Sequence, residues 1–150
     1  MVNENGEPIV ILMAEDDLDD QLLTKDALEE ARLKNEIRFV SNGLELLDYL
    51  QRKGEYSDPE SSPTPEIILL DLNMPKMDGR EALAIIKADD DLRHIPIVIL
   101  TTSSAEEDIF RSYNMGVNSY VTKPVSFEGL TQLMKDFSNY WFTIVKLPQN

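Results

Sequence analysis

Residues 67–75 read Ile67-Ile68-Leu69-Leu70-Asp71-Leu72-Asn73-Met74-Pro75. Four apolar residues in a row end at a carboxylate, and a proline stands four positions beyond it. A run this apolar, without alternation, fits a strand covered on both faces in the middle of a parallel sheet. Open α/β sheets keep their working residues just past the carboxyl ends of their strands. Asp71 stands at such an end, so the rest of the chain is read for what comes near it.

Upstream, Ile9-Val10-Ile11-Leu12-Met13-Ala14 predicts a first buried strand, followed by Glu15-Asp16-Asp17. From Leu18 the apolar positions 18, 22, 23, 27, 28 and 31 predict a helix burying one face. Asp17, Asp19 and Asp20 lie at its start, where the helix dipole favours acids. Ile37-Arg38-Phe39-Val40 reads as a short second strand ended by Ser41-Asn42-Gly43, and Leu44, Leu47 and Leu50 mark a second helix. Residues 53–66, with three prolines and three serines, form a surface loop of unusual length. The plain reading is a tolerated insertion, the alternative a partner contact.

Downstream, Met77-Asp78-Gly79 is a turn, and a helix with Ala82, Leu83 and Ile86 inward closes at Asp89-Asp90-Asp91. Ile95-Pro96-Ile97-Val98-Ile99-Leu100 predicts a fourth strand ending at Thr101-Thr102. Ser104 and Glu107 form a capping box for a helix carrying Ile109, Phe110 and Tyr113, which Gly116 stops. A short fifth strand around Ser119-Tyr120-Val121 leads to Lys123-Pro124. Phe127, Leu130, Leu133, Met134, Phe137 and Tyr140 then form a helical stripe.

Five strand-then-helix units predict an α/β fold, a doubly wound parallel sheet with helices on both faces. Five strands suit the flavodoxin-like order 2-1-3-4-5, although periodicity does not itself fix that order. Residues 1–8 are a short tail, 9–140 the domain, and 141–150 an apolar C-terminal extension. The chain has no cysteine, so disulfides, thiolate metal sites and cysteine nucleophiles are excluded. A net charge of −14 argues against nucleic acid and anionic membrane surfaces as partners. Without a basic, apolar leader or a run approaching a membrane span, the expected location is the cytoplasm.

In a parallel sheet the ends of strands one, three, four and five, at Glu15-Asp16, Asp71, Thr101 and Lys123, meet at one edge. Each residue alone has an ordinary structural explanation: a helix-start acid, a turn residue, a strand terminus, a solvated base. Together they make a cluster of carboxylates, a hydroxyl and an ammonium. Carboxylates about 4 Å apart repel by roughly 4 kcal/mol at an effective dielectric near 20, so a cation is called for. Oxygen ligands without His or Cys select a hard ion, and Mg²⁺ suits one that awaits phosphate oxygens. An aspartate between such an ion and a lysine can act as a nucleophile toward phosphorus.

The motifs Ala14-Glu15-Asp16-Asp17, Leu69-Leu70-Asp71-Leu72-Asn73-Met74-Pro75, Leu100-Thr101 and Lys123-Pro124 resemble the receiver domain of two-component response regulators. The resemblance covers residues 9 to 140. It implies that Asp71 is phosphorylated from a sensor histidine kinase, and that Glu15 and Asp16 are the acidic pair, Asp16 the more direct Mg²⁺ ligand. It further implies that the main-chain carbonyl of Asn73 completes the Mg²⁺ shell and that Thr101 and Tyr120 are the switch pair. Lys123 is then the phosphate-binding lysine, before a cis Pro124. The long loop and the ending Tyr140-Trp141-Phe142-Thr143-Ile144-Val145-Lys146-Leu147-Pro148 look more narrowly like the small regulators that partner cyanobacterial phytochromes. Thr102 departs from the small residue usual there and bears on phosphate lifetime, and Glu15 stands where many members have aspartate.

On this reading the protein is a phosphoacceptor and not an enzyme, beyond slow self-dephosphorylation. Phosphorylation adds about −1.5 to −2 charge at Asp71, draws in Thr101, and lets Tyr120 fill the vacated space. The surface formed by helix four, strand five and helix five changes with it. Ten residues past 140 cannot fold as a DNA-binding module, so output is expected through a partner or self-association. The apolar Trp141, Phe142, Ile144, Val145 and Leu147 either pack onto the domain or form a homodimer interface. His94, alone in a linker, reads as structural or solvated. The enzyme alternative is a haloacid dehalogenase-like, Mg²⁺-dependent phosphohydrolase, but the second acid expected two residues after the nucleophile is Asn73. A flavin carrier is disfavoured because acids, not a phosphate-binding loop, follow the first strand.

Overall fold

Alternate residues of each apolar run fall on opposite faces of one sheet. The computed structural model describes the backbone of residues 8–71, 74, 76–77, 79–101, 119–122, 124 and 126–146, and the side chains of these except 101, 119, 120, 122 and 140–146. Its strands are β1 (Val10–Ala14), β2 (Glu36–Val40), β3 (Ile67–Asp71), β4 (Ile97–Thr101) and β5 (Ser119–Thr122). All pair in parallel, in the order β2-β1-β3-β4-β5. This is the flavodoxin-like arrangement expected of five strand-then-helix units.

Period-two alternation explains why the runs need no polar positions. Leu12, Ala14, Ile68, Leu70, Ile97 and Ile99 face one core with Leu46, Leu47, Ala82, Leu83 and Ile86. Ile11, Met13, Ile67, Leu69, Val98 and Leu100 face the other, with Ala27, Leu28, Leu130, Met134 and Phe137. Each Leu, Ile, Val, Met or Phe among them contributes about 1.5–3 kcal/mol on withdrawal from water, before entropy is counted. The first face is covered by α2 (Gly43–Leu50) and α3 (Gly79–Ala88), where Ala82, Leu83 and Ile86 point inward as their spacing predicts. The second is covered by α1 (Leu18–Glu30) and a C-terminal helix (Phe127–Lys146), which pack side by side. That helix carries straight through Trp141–Lys146, so the backbone of the apolar ending continues the preceding element. The helix expected around Ile109, Phe110 and Tyr113 lies outside the described residues.

Two helical faces differ from expectation. In α1 the buried positions are Thr24, Ala27 and Leu28, whereas Leu18 and Leu22 are 69% and 60% exposed. The six apolar positions spread too far around a helix of 3.6 residues per turn to share one face, and the sheet takes only one flank. In α2 the inward residues are Gly43, Leu46, Leu47 and Tyr49, and Leu44 faces out.

The 53–66 segment is a surface loop, but an anchored one. Tyr49 Oη donates to the Pro63 carbonyl at 2.7 Å, and its ring lies against Tyr56 with centroids 5.1 Å apart. The Arg52 guanidinium donates to the Ser62 carbonyl at 3.1 Å and the Thr64 hydroxyl at 2.6 Å. Glu66 N–H then reaches the Val10 carbonyl at 2.9 Å, which returns the chain to the amino edge of the sheet. His94 is exposed. No helix among the described residues is long and apolar enough to cross a membrane.

Candidate functional site

Strand register decides which residues meet at the carboxyl edge. Ala14 pairs with Leu70, so Glu15, the next residue, comes level with Asp71. Asp71 pairs with Leu100, leaving Thr101 one step beyond it, and Thr101 pairs with Thr122, which precedes Lys123 in sequence.

Glu15, Asp16 and Asp71 each offer a carboxylate oxygen, and these oxygens all lie within 4.8 Å of one another. Glu15 is 1% exposed and Asp71 7%, while Asp16 faces solvent. Two buried acids under one exposed acid make a cup with an open rim. Local bonds fix its floor. Glu15 N–H donates to the Val40 carbonyl at 2.9 Å, Gln21 Nε2 donates to the Glu15 carbonyl at 2.7 Å, and Asp17 N–H donates to Glu15 Oε2 at 3.2 Å. Asp17 is the N-cap of α1, its carboxylate accepting from the N–H groups of Asp19 and Asp20. With β1 ending at Ala14 and α1 starting at Leu18, that cap leaves Glu15 and Asp16 in the short connection at the carboxyl edge.

Among the described residues the donor set is oxygen alone, carries up to three negative charges and reaches solvent at Asp16. Those properties fit a hard divalent cation that retains waters or takes a further oxygen ligand. The three acids singled out in the sequence are therefore brought together. Thr101 and Tyr120 fall on adjacent strands, with Tyr120 paired to Ile99, but their side chains are outside the described set. Asn73, Thr102 and Lys123 lie outside the described residues. The isomer of Pro124 also does, since its peptide bond begins at Lys123. Gln21 was missed in the sequence, because a glutamine bracing a main-chain carbonyl six residues away leaves no pattern.

A model of the response regulator receiver domain matches residues 11–135. The chain belongs to the response regulator receiver family. Receiver domains form a signalling family, not a class of conventional enzymes, and their general role is to take a phosphoryl group from a kinase. Response regulator Rcp1 of Synechocystis sp. is 42% identical over 148 residues, covering 99% of this chain and 99% of Rcp1. The phosphorylated cyanobacterial phytochrome response regulator RcpA has a similar structure, with a TM-score of 0.81 at 41% identity over 91% of this chain and 95% of that one. The Mn²⁺-bound form of Rcp1 gives 0.80 at 42% identity over 94% and 99% of the two chains. Receivers bind Mg²⁺ or Mn²⁺ at an acidic site, and the Glu15–Asp16–Asp71 cup of this receiver has the matching composition.

Proposed function

We propose that the protein is a phosphorylation-controlled switch in which Asp71 accepts a phosphoryl group from the phosphohistidine of a sensor histidine kinase. The observation that carries this reading is the meeting of Glu15, Asp16 and Asp71 at the carboxyl edge of the sheet. Mg²⁺ would be held by Glu15, Asp16, Asp71 and the main-chain carbonyl of Asn73. When bound it offsets the carboxylate charges and stabilises the charge on the transferring oxygens. An Asp71 oxygen forms its bond to phosphorus as the phosphorus–nitrogen bond breaks, and that electron pair stays on the donor imidazole. Lys123 and Thr101 are the groups assigned to the phosphoryl oxygens, and Thr101 with Tyr120 relays the change to the surface of the fourth helix, fifth strand and C-terminal helix.

Similarity over nearly the full length to two cyanobacterial regulators, one named for a phytochrome, favours a phytochrome kinase as donor. The apolar end of the C-terminal helix favours a homodimer, and unchanged sedimentation of a chain ending at Tyr140 would remove that surface from the interface. Incubation with Mg²⁺ and a small acyl phosphate should add one phosphoryl mass to the wild type and none to Asp71→Ala. An equal gain in both would refute the acceptor assignment, and sustained turnover of para-nitrophenyl phosphate would favour the hydrolase instead.

A further inference from the structure

We propose that Gly43 is a positioning residue for the Asp71 site: it holds Met77, six residues after Asp71, in place and thereby sets cation affinity. The inference rests on the cation site proposed above and deepens it. Gly43 opens α2, and its N–H donates to the Met77 carbonyl at 2.9 Å. The first N–H groups of a helix have no acceptor within it, so Met77 satisfies one of them. The approach is close. A Cβ at position 43 would lie 2.4 Å from the Met77 carbonyl oxygen, 3.0 Å from its carbon and 2.9 Å from Met77 Cγ. Two of those three are backbone atoms, which no rotamer change can withdraw. Any side chain at 43 must move either α2 or the turn.

The helix is firmly held. Asn42 Oδ1 accepts from Glu45 N–H at 2.9 Å, the Glu45 carboxylate accepts from Ser41 N–H at 2.8 Å, and Leu46, Leu47 and Tyr49 are buried in the core. Among the described residues between Asp71 and Gly79, Met74 lies in the core, Met77 packs at its edge, and the Met77 carbonyl takes the Gly43 bond. Lys76 beside Met77 holds a left-handed φ of 62°, an uncommon conformation for a residue other than glycine. Asp71 sits six positions before Met77, and Asn73 comes, in sequence, between Asp71 and Met74. A push on Met77 is therefore transmitted towards the ligands. Partners that orient a metal's ligands are worth roughly 10–100-fold in affinity, and the lower end is expected here because Gly43 acts through one turn.

The test titrates Mn²⁺ calorimetrically into the full chain as wild type, Gly43→Ala, Met77→Gly and Gly54→Ala. Gly54 has a φ of 59° with nothing within 4 Å of its Cβ position, so alanine there strains the backbone without pushing on a neighbour. Gly43→Ala is expected to bind Mn²⁺ roughly tenfold more weakly with unchanged circular dichroism, and to recover its phosphorylation rate at saturating Mg²⁺. Gly54→Ala is expected to lose stability and keep wild-type affinity. A folded Gly43→Ala with wild-type affinity overturns the proposal, as does equal weakening in Gly54→Ala. If Gly43→Ala does not fold, Met77→Gly decides: it frees the turn while keeping the carbonyl, and weaker binding supports the role while unchanged binding refutes it. A wild type that binds no Mn²⁺ removes the cation reading and this inference together, whereas binding shared equally by wild type and Gly43→Ala removes only the inference.

Discussion

Replacing Asp71 with asparagine should make the metal-free protein harder to unfold even as it removes the carboxylate proposed as the acceptor. Glu15 and Asp71 are both buried, and their nearest oxygens are no more than 4.8 Å apart. At an effective dielectric near 20, two unit charges at that distance repel by roughly 3–4 kcal/mol. Asparagine has the same shape, so the substitution adds no packing penalty. Asp71 also makes other polar interactions, part of which an amide forfeits, so the net gain expected is about 1–2 kcal/mol. Urea unfolding in EDTA, followed by circular dichroism, measures it. Saturating Mg²⁺ should then reverse the order, because a ligand at 100 times its dissociation constant stabilises the native state by about 2.7 kcal/mol and the variant has lost one of the proposed ligand charges. If Asp71→Asn in EDTA is no more stable than wild type, or if Mg²⁺ stabilises both equally, the charge-repulsion account of the cup is wrong.

Asp17→Ala removes the acceptor for the Asp19 and Asp20 N–H groups, which are 2.8 and 3.3 Å from Asp17 Oδ1, and should lower stability by about 1 kcal/mol. Hydrogen exchange should show the loss concentrated in the first turn of α1, and uniform exchange would contradict it. Arg32 is exposed and holds a φ of 59° just past the end of α1, so Arg32→Gly should raise stability by about 1 kcal/mol, read from the thermal midpoint. Burial raises the pKa of Tyr49 and of Tyr56, and for Tyr56 a hydrogen bond to Glu55 and the nearby Glu45 and Asp48 carboxylates push the same way. The folded state thus holds both phenolic protons more tightly than the unfolded chain does. Their contribution is intact below the ordinary tyrosine value of 10.0 and is lost as pH rises beyond it. Spectrophotometric titration should find both residues ionising late, and Tyr49→Phe with Tyr56→Phe should flatten the alkaline fall in stability.

Much of the fold was legible because three strands are unbroken apolar runs that stop at a polar residue. Ile67–Leu70 ends at Asp71 and Met13-Ala14 at Glu15, so strand and site were read from one boundary. Interleaved or marginal segments were harder. Leu18 and Leu22 look as apolar as Ala27 and Leu28, and only the position of the sheet decides which pair is buried. Strand β2, at the sheet edge with Ile37 and Phe39 only half-buried, carries a correspondingly weak pattern. The acids were visible because chemistry restricts what can replace a carboxylate. In the sequence Gly43 is only turn punctuation, since the carbonyl it touches lies thirty-four positions away. The clasp of Tyr49 and Arg52 on the 53–66 loop was hidden for the same reason: it joins residues that share no periodicity.

That clasp keeps the loop and the acidic site at opposite edges of the sheet. The loop is tied down at the amino edge of the sheet, and Asp71 lies at the other, the five residues of β3 away, or roughly 13 Å along the strand. Residues 57–61 are all exposed and form the crest of that loop. A dye, an affinity tag or a new chain break placed there would ride on a foundation that the chemistry does not share. Because the two lie at opposite edges, a change in the length of this crest should leave the spacing of Glu15, Asp16 and Asp71 untouched.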